Sequence, residues 1–377
     1  MRVALDYTPA ISQIAGVGRY TRSLFAAMQE KQDPDFEWSL WHPSEWEVPA
    51  QVASGEDVTA VPLPLSSRWS NLIWHRLGLP LRLERYTGPV SIVHGTDFVV
   101  PPSSAPSVVT IHDLSYALLP QLAFPRLRAY LERAVPRSID RAAKIIAVSE
   151  TTKRDLCEFY EISPNRVDVV HHAADPIFQQ PSETRILAMQ AQLGLRKPYF
   201  VIVGTVEPRK DHLTLLDAFE RVHKAHPEVS LVIAGRKGWL ADNIVSAIQD
   251  ASSRLPVLHV QGISDDMLPA LYAGSQALVY PSRYEGFGLP LLEAMASGTA
   301  VITSDTPALR EVADNAALYA PVQCVETLAE QMTRLLEDSQ LRNDMLARGS
   351  SRATSFSWSR AADRHMEIYR RVAGVQS

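Results

Sequence analysis

A chain of 377 residues predicts two or three domains with ample core. A net charge of −5 with 21% charged residues excludes the basic footprint of a nucleic-acid binder. Cys157 and Cys324 lie far apart in no metal-like spacing, no apolar run reaches membrane-span length, and MRVALDYTPA enters a strand at once, so the expectation is a cytoplasmic protein without a signal peptide.

Short apolar runs alternate with helical stretches, the pattern of a parallel sheet with crossover helices. In the first half this predicts strands at 2–6, 36–42, 90–94, 107–112, 144–148 and 166–171, and helices at 17–29, 69–77, 122–139 and 150–160. Gly16-Val17-Gly18-Arg19-Tyr20 lies between the first strand and the first helix, where glycine lets backbone approach a ligand. It is not a dinucleotide fingerprint: Thr21 stands where the third glycine belongs, and nine residues separate Gly16 from the strand. A loop with a helix cap is the plain alternative. His112 and Asp113 end SVVTIHD at a carboxyl edge, where open α/β sheets bind ligands. A lone histidine there is more often structural, and Asp113 can instead cap the following turn. Ser149 is placed to cap the helix at 150–160.

Residues 66–86, SSRWSNLIWHRLGLPLRLERY, mix Trp69 and Trp74 with Arg68, Arg76, Arg82 and Arg85, and a second basic helix carries Arg126, Arg128, Arg133, Arg137 and Arg141. Residues 66–144 hold ten Lys and Arg against five Asp and Glu, in a chain that is acidic overall. Two readings fit: solvated helix faces over core tryptophans, or peripheral contact of segments 66–86 and 126–141 with anionic lipid head groups or a lipid-diphosphate acceptor.

The strand at 166–171 breaks at Ala173-Ala174-Asp175-Pro176, which sets a domain boundary near 173. Beyond it, strands are predicted at 199–203, 230–234, 257–261, 277–280, 300–303 and 317–319, and helices at 186–194, 211–225, 325–336, 341–353 and 358–372. Gly204, Gly235, Gly262 and Pro281 follow four of these strands and mark a shared ligand edge. In GTVEPRKD (204–211), Arg209 can fork two phosphate oxygens while Lys210 supplies a compact charge, a pairing that suits a diphosphate. The chain is organised around YPSRYEGFGLPLLEAMASG (280–298): a strand end, a loop holding Glu285, Gly286, Phe287 and Gly288, and a helix opened by Pro290 and closed by Gly298. Free N–H groups and the positive end of a helix dipole make an anion site there, with Glu285 and Glu293 on either side.

Glu285, seven intervening residues and Glu293, carried on EGFGLPLLE, resemble the signature of retaining family 4 glycosyltransferases of the GT-B fold. GTVEPRKD, VIAGRKGW (232–239) and QGISDDMLPALY (261–272) continue the resemblance over most of the chain. It implies an α/β GT-B architecture of two Rossmann-like parallel-sheet domains facing a central cleft. Residues 1–173 would bind the acceptor, 174–355 the nucleotide sugar, and 356–377 would form a helix crossing back to the first domain. The resemblance makes Arg209 and Lys210 the clamp on the donor diphosphate, and puts Gly262 and Ile263 beside the nucleobase. Gly204, Gly286, Phe287, Gly288 and Leu289 would border the donor, with Glu293 on its ribose and Glu285 on a sugar hydroxyl. The loop of Gly16 and Gly18 would face donor phosphates and acceptor, with Arg19 and Asp113 toward the acceptor and His112 beside the donor sugar. His112, Arg209, Lys210 and Glu285 are thus the expected catalytic set.

GTVEPRKD with AGRKGW is similar to a bacterial mannosyltransferase branch of the family, which implies GDP-mannose as donor and a glycan or lipid-linked saccharide as acceptor. A UDP-sugar or dTDP-rhamnose is the other donor reading. The nucleotide sugar is a substrate, so no cofactor is expected, and no metal. Asp33-Pro34-Asp35 looks like the D-x-D metal motif of the other glycosyltransferase fold but follows a polar helix end as a turn, and the pair His171-His172 is isolated. A nucleotide-sugar epimerase or phosphorylase on the same fold, or a non-catalytic nucleotide-sugar-binding relative, are the competing readings.

Overall fold

The computed structural model describes residues 1–13, 16–195 and 198–374. They form two compact units, one of Met1–His172 with the segment that begins at Trp358, the other Ala173–Ser357.

In the first unit, β1 (Arg2–Asp6), β2 (Glu37–Pro43), β3 (Val58–Leu63), β4 (Ile92–Gly95), β5 (Ser107–Ile111), β6 (Lys144–Ala147) and β7 (Val167–Val169) make one parallel sheet in the order β3-β2-β1-β4-β5-β6-β7. Helices cover both faces, so strands such as SVVTI are buried along their whole length and read as continuous rather than alternating apolar runs. The order reverses between β1 and β4, and the carboxyl ends on either side of such a reversal open a ligand crevice.

Two expectations are corrected here. β3 was not predicted: Pro62 argues against a central strand, and the structure puts VTAVPL at the sheet edge, where a missing N–H is tolerated. The helix expected at 69–77 is instead a turn of α-helix, Ser67–Ser70, running into a π-helical segment, Asn71–Arg76. Trp74 is core beneath it, whereas Trp69 is 56% exposed.

The C-terminal helix Trp358–Ala373 packs against the helix Val17–Glu30 and buries Trp358, His365, Met366, Ile368 and Tyr369. A buried hydrogen-bond chain ties it to the sheet, and its polarity follows from one end. His365 Nδ1 must donate to the carbonyl of Ala361 (2.7 Å), so Nε2 accepts from the Tyr20 hydroxyl (3.2 Å). Tyr20 oxygen then takes the Thr110 hydroxyl (3.0 Å), Thr110 takes His94 Nε2–H (2.8 Å), and His94 Nδ1 takes the Tyr369 hydroxyl (2.6 Å). The chain starts and ends on the same helix, and every link needs both histidines neutral. Lys31–Asp363 (2.6 Å) and Arg370 on Asp33 flank it at the surface. Asp33-Pro34-Asp35 is therefore a turn, as read, and holds a helix.

In the second unit, β8 (Tyr199–Val203), β9 (Ser230–Ala234), β10 (Val257–Val260), β11 (Ala277–Tyr280), β12 (Ala300–Ser304) and β13 (Leu318–Ala320) form a parallel sheet ordered β10-β9-β8-β11-β12-β13. The reversal falls between β8 and β11, the two strands followed by GTVEPRKD and by PSRYEGFG. Close backbone approach is compulsory nearby: a Cβ on Gly235 would lie 1.8 Å from the carbonyl oxygen of Gly204. Ala173, at the expected boundary, is buried and does not have positive φ.

Candidate active site

Because β8 and β11 are hydrogen-bonded neighbours, their following loops emerge side by side and are stitched together. Arg283 N–H donates to the carbonyl of Arg209 at 2.8 Å, and the Ser282 hydroxyl oxygen lies 3.2 Å from the same carbonyl. This brings three of the four expected catalytic side chains into contact. Arg209 Nη1 meets Glu285 Oε2 at 2.7 Å, and Lys210 Nζ meets Glu285 Oε1 at 2.6 Å. Arg209 Nη2 reaches Glu207 Oε1 at 2.6 Å, while Nη1 also donates to the Tyr284 carbonyl at 2.9 Å. Tyr280 hydroxyl donates to Glu285 Oε1 at 3.0 Å, and the Ser282 hydroxyl binds the same oxygen.

Two cations and two carboxylates thus share a largely buried pocket. Burial pulls the Glu285 carboxyl upward, but Arg209, Lys210 and the hydroxyl of Ser282 outweigh it and hold it down at about 2. Glu207, 1% exposed, goes the other way: burial raises it in spite of Arg209 and Lys210. Burial likewise lowers the Lys210 ammonium, against the pull of Glu285. The arrangement keeps Glu285 ionised and holds both cations at the sheet edge. Lys210, expected on the donor diphosphate, and Glu285, expected on a sugar hydroxyl, are here paired with each other.

Gly288, at φ 119°, is the N-cap of the helix Leu289–Ala296, which begins one residue before Pro290. Gly286 and Phe287 are buried in the loop before it, and Phe287 lies edge-on to Phe356 with ring centres 5.8 Å apart. Glu293 is inside that helix at 3% exposure and accepts the Tyr272 hydroxyl at 3.1 Å. Gly204 and Gly262 have positive φ at the ends of β8 and β10, and Ile263 is half-buried beside Gly262.

The first unit carries its own cluster at the reversal of its sheet. His112 follows β5 and donates Nε2–H to the carbonyl of Thr96 at 2.8 Å, which leaves Nδ1 as the acceptor of a neutral ring. Burial lowers this imidazole while Asp97 pulls it back up. Tyr20 is edge-on to it, ring centres 4.9 Å apart, and stacks on His172 at 4.5 Å. Asp6 ends β1, accepts Thr8 N–H at 2.9 Å, and is raised by burial to about 7. Asp113 caps the next turn, as its plainer reading has it, its Oδ1 accepting Ser115 N–H at 2.7 Å. Gly16 is the N-cap of the helix Val17–Glu30, Gly18 is forced by a Gln13 carbonyl 1.9 Å from where its Cβ would be, and Arg19 is buried. Ser149 caps its helix by accepting Thr152 N–H. Among the described residues, no group of three or more His, Cys, Asp and Glu side chains is arranged to hold a metal.

Sequence reasoning missed Glu207, Asp97, Tyr280 and Ser282. Glu207 was visible inside GTVEPRKD, two residues from Arg209, and an acid beside a cation pair after a buried strand is a signal. Asp97 follows His94-Gly95-Thr96 at the end of β4, an edge position like that of His112.

A model of Glycosyltransferase Family 4 matches residues 14–177, and one of Glycosyl transferases group 1 matches residues 187–352. The chain belongs to the family 4 glycosyltransferases. This glycosyltransferase is 28% identical to O-antigen chain mannosyltransferase B of Escherichia coli over 389 aligned residues, 98% of this chain and 100% of the relative. It is 32% identical to phosphatidyl-myo-inositol mannosyltransferase of Mycolicibacterium smegmatis over 72% of this chain and 67% of that one. Its fold is similar to that of sucrose-phosphate synthase from Thermosynechococcus elongatus, with a TM-score of 0.78, 19% identity and full coverage of both chains. The family and the two Rossmann-like sheets agree with the sequence reading.

Proposed function

We propose that the enzyme transfers a hexose, mannose from GDP-mannose, to a glycan or lipid-linked saccharide with retention of anomeric configuration. The observation that carries this reading is the cation pair Arg209 and Lys210 at the sheet reversal of the second unit, beside a glycine-capped helix start. Breaking a sugar–phosphate bond develops charge on the leaving diphosphate, and two fixed cations with a helix dipole stabilise that charge without reorganisation. In this scheme no metal takes part. Glu285 and Glu293 are hydroxyl acceptors for sugar and ribose, and neither is a covalent nucleophile. His112, through Nδ1, accepts a hydroxyl of the donor sugar. Relatives named as O-antigen and phosphatidylinositol mannosyltransferases favour mannose, and a UDP-sugar or dTDP-rhamnose is the second donor reading.

The first test is thermal-shift screening with GDP, UDP, ADP and dTDP. GDP should raise the melting temperature most, and a larger shift with UDP or dTDP would replace GDP-mannose as donor. Product analysis without acceptor separates transfer from epimerisation.

Membrane contact belongs to the same reading. Trp69, Leu77, Leu79 and Leu127 are exposed within the arginine-bearing segments 66–86 and 126–141. Apolar side chains amid cations suit an anionic bilayer surface carrying a lipid-linked acceptor on its cytoplasmic side. No helix among the described residues is long and apolar enough to cross a membrane. Flotation with vesicles containing anionic lipid at low salt should carry the protein upward; protein left in the bottom fraction would remove the idea.

A further inference from the structure

Both faces of the Arg209 fork are engaged, by Glu207 on Nη2 and by Glu285 on Nη1, and Lys210 is closed by Glu285 and Tyr280. A diphosphate reaching these cations meets two carboxylates already bonded to them. The two carboxylates are not equivalent. Glu207 precedes Arg209 by two residues, is 1% exposed and is bonded to that guanidinium. Glu285 lies on the other loop, immediately before the anion-binding helix start, and holds both cations at once with Ser282 and Tyr280 donating to it.

We infer that Glu285 is a resident counter-ion of the diphosphate site. It pairs Arg209 and Lys210 while the donor is absent, and the donor's diphosphate takes both cations from it. This rests on reading the site as one for a nucleotide sugar. Glu207 stays on Arg209 throughout and is a positioning residue that keeps the guanidinium aimed. The freed Glu285 carboxylate needs new donors, and the hydroxyls of the transferred sugar supply them. Once the sugar has left, that compensation is gone, so Glu285 returns to the cations and works against the nucleoside diphosphate product. The exchange therefore favours donor over product at the same cation pair and speeds product release.

The sign of one measurement is diagnostic. If Glu285 merely helped hold the nucleotide, removing its charge would weaken or leave unchanged the binding of a sugar-free nucleoside diphosphate. A competing counter-ion gives the opposite. Calorimetric titration of the full chain with GDP, UDP, ADP, dTDP and inorganic pyrophosphate should show Kd for the best ligand falling roughly tenfold in Glu285→Gln, about the effect expected for a charge-assisted contact. Glu285→Asp, which keeps the charge but shortens its reach to both cations, should lower Kd by about two- to threefold, and it carries the test if unpaired buried cations prevent Glu285→Gln from folding. Ligand binding in the wild type with unchanged or higher Kd in whichever variant folds overturns the counter-ion role alone. No binding of any of the five ligands to wild type or variants overturns the nucleotide-sugar reading and the inference with it.

Discussion

Acid should undo the first unit through the chain that holds its last helix. His365 is buried neutral, its imidazole lowered by burial to about 4 against 6.5 for the unfolded residue. A lowered folded value means that the unfolded state binds the proton first, so stability is full above pH 6.5 and falls as pH drops toward 4. At pH 5 the two titrations differ by a factor of about thirty, which is about 2 kcal/mol from this one group. His94 lies in the same chain and is lowered further by burial and by His365, so the loss in the wild type exceeds that figure. Its cause is geometric: a proton on His365 Nε2 abolishes the acceptor for Tyr20, and one on His94 Nδ1 abolishes the acceptor for Tyr369. Urea denaturation followed by tryptophan fluorescence at pH 7.5 and 5.0, for wild type and His365→Gln, measures the effect. The variant keeps a hydrogen-bonding side chain that does not titrate, and its stability should fall less than the wild type's by about 2 kcal/mol over that interval. Equal losses in the two proteins would refute the reasoning.

Three other outcomes are expected. Replacing Arg209 and Lys210 together by alanine should weaken nucleoside diphosphate binding by more than about a hundredfold, since each charge-assisted contact is worth on the order of tenfold or more; calorimetric binding equal to wild type would reject the diphosphate role. Gly235→Ala forces a methyl into the Gly204 carbonyl 1.8 Å away and should cost about 3 kcal/mol or prevent soluble expression, whereas a wild-type melting curve would contradict the packing described. Transfer activity should survive chelator within about twofold if leaving-group charge is met by the cations and the helix dipole, and turnover that vanishes with chelator and returns with a divalent ion would contradict that scheme.

Alternation of strand and helix was legible because strands buried on both faces carry unbroken apolar runs, and β1, β8, β9 and β11 begin and end where the pattern puts them. What failed was local. VTAVPL hid as a strand because its proline is permitted only by an edge position, which is a property of the whole sheet. The π-helical Asn71–Arg76 has the same apolar spacing as the α-helix expected there, and only packing decides between them. Among site residues, EGFGLPLLE and GTVEPRKD could be read separately. That Arg209 and Lys210 would close on Glu285 could not, because their contact depends on β8 and β11 being neighbours across 74 intervening positions between Lys210 and Glu285.

The discontinuity of the first unit has a consequence for how the molecule is made. Tyr20 and His94 leave the ribosome long before the helix Trp358–Ala373 that carries their partners His365 and Tyr369. Through the synthesis of all of 173–357 these polar groups face a vacant groove and must be served by water or by a chaperone. A half-molecule cut at 172 would carry that groove permanently, with Met366, Ile368 and Tyr369 missing from it, and would be a poor vehicle for studying His112 and its neighbours in isolation.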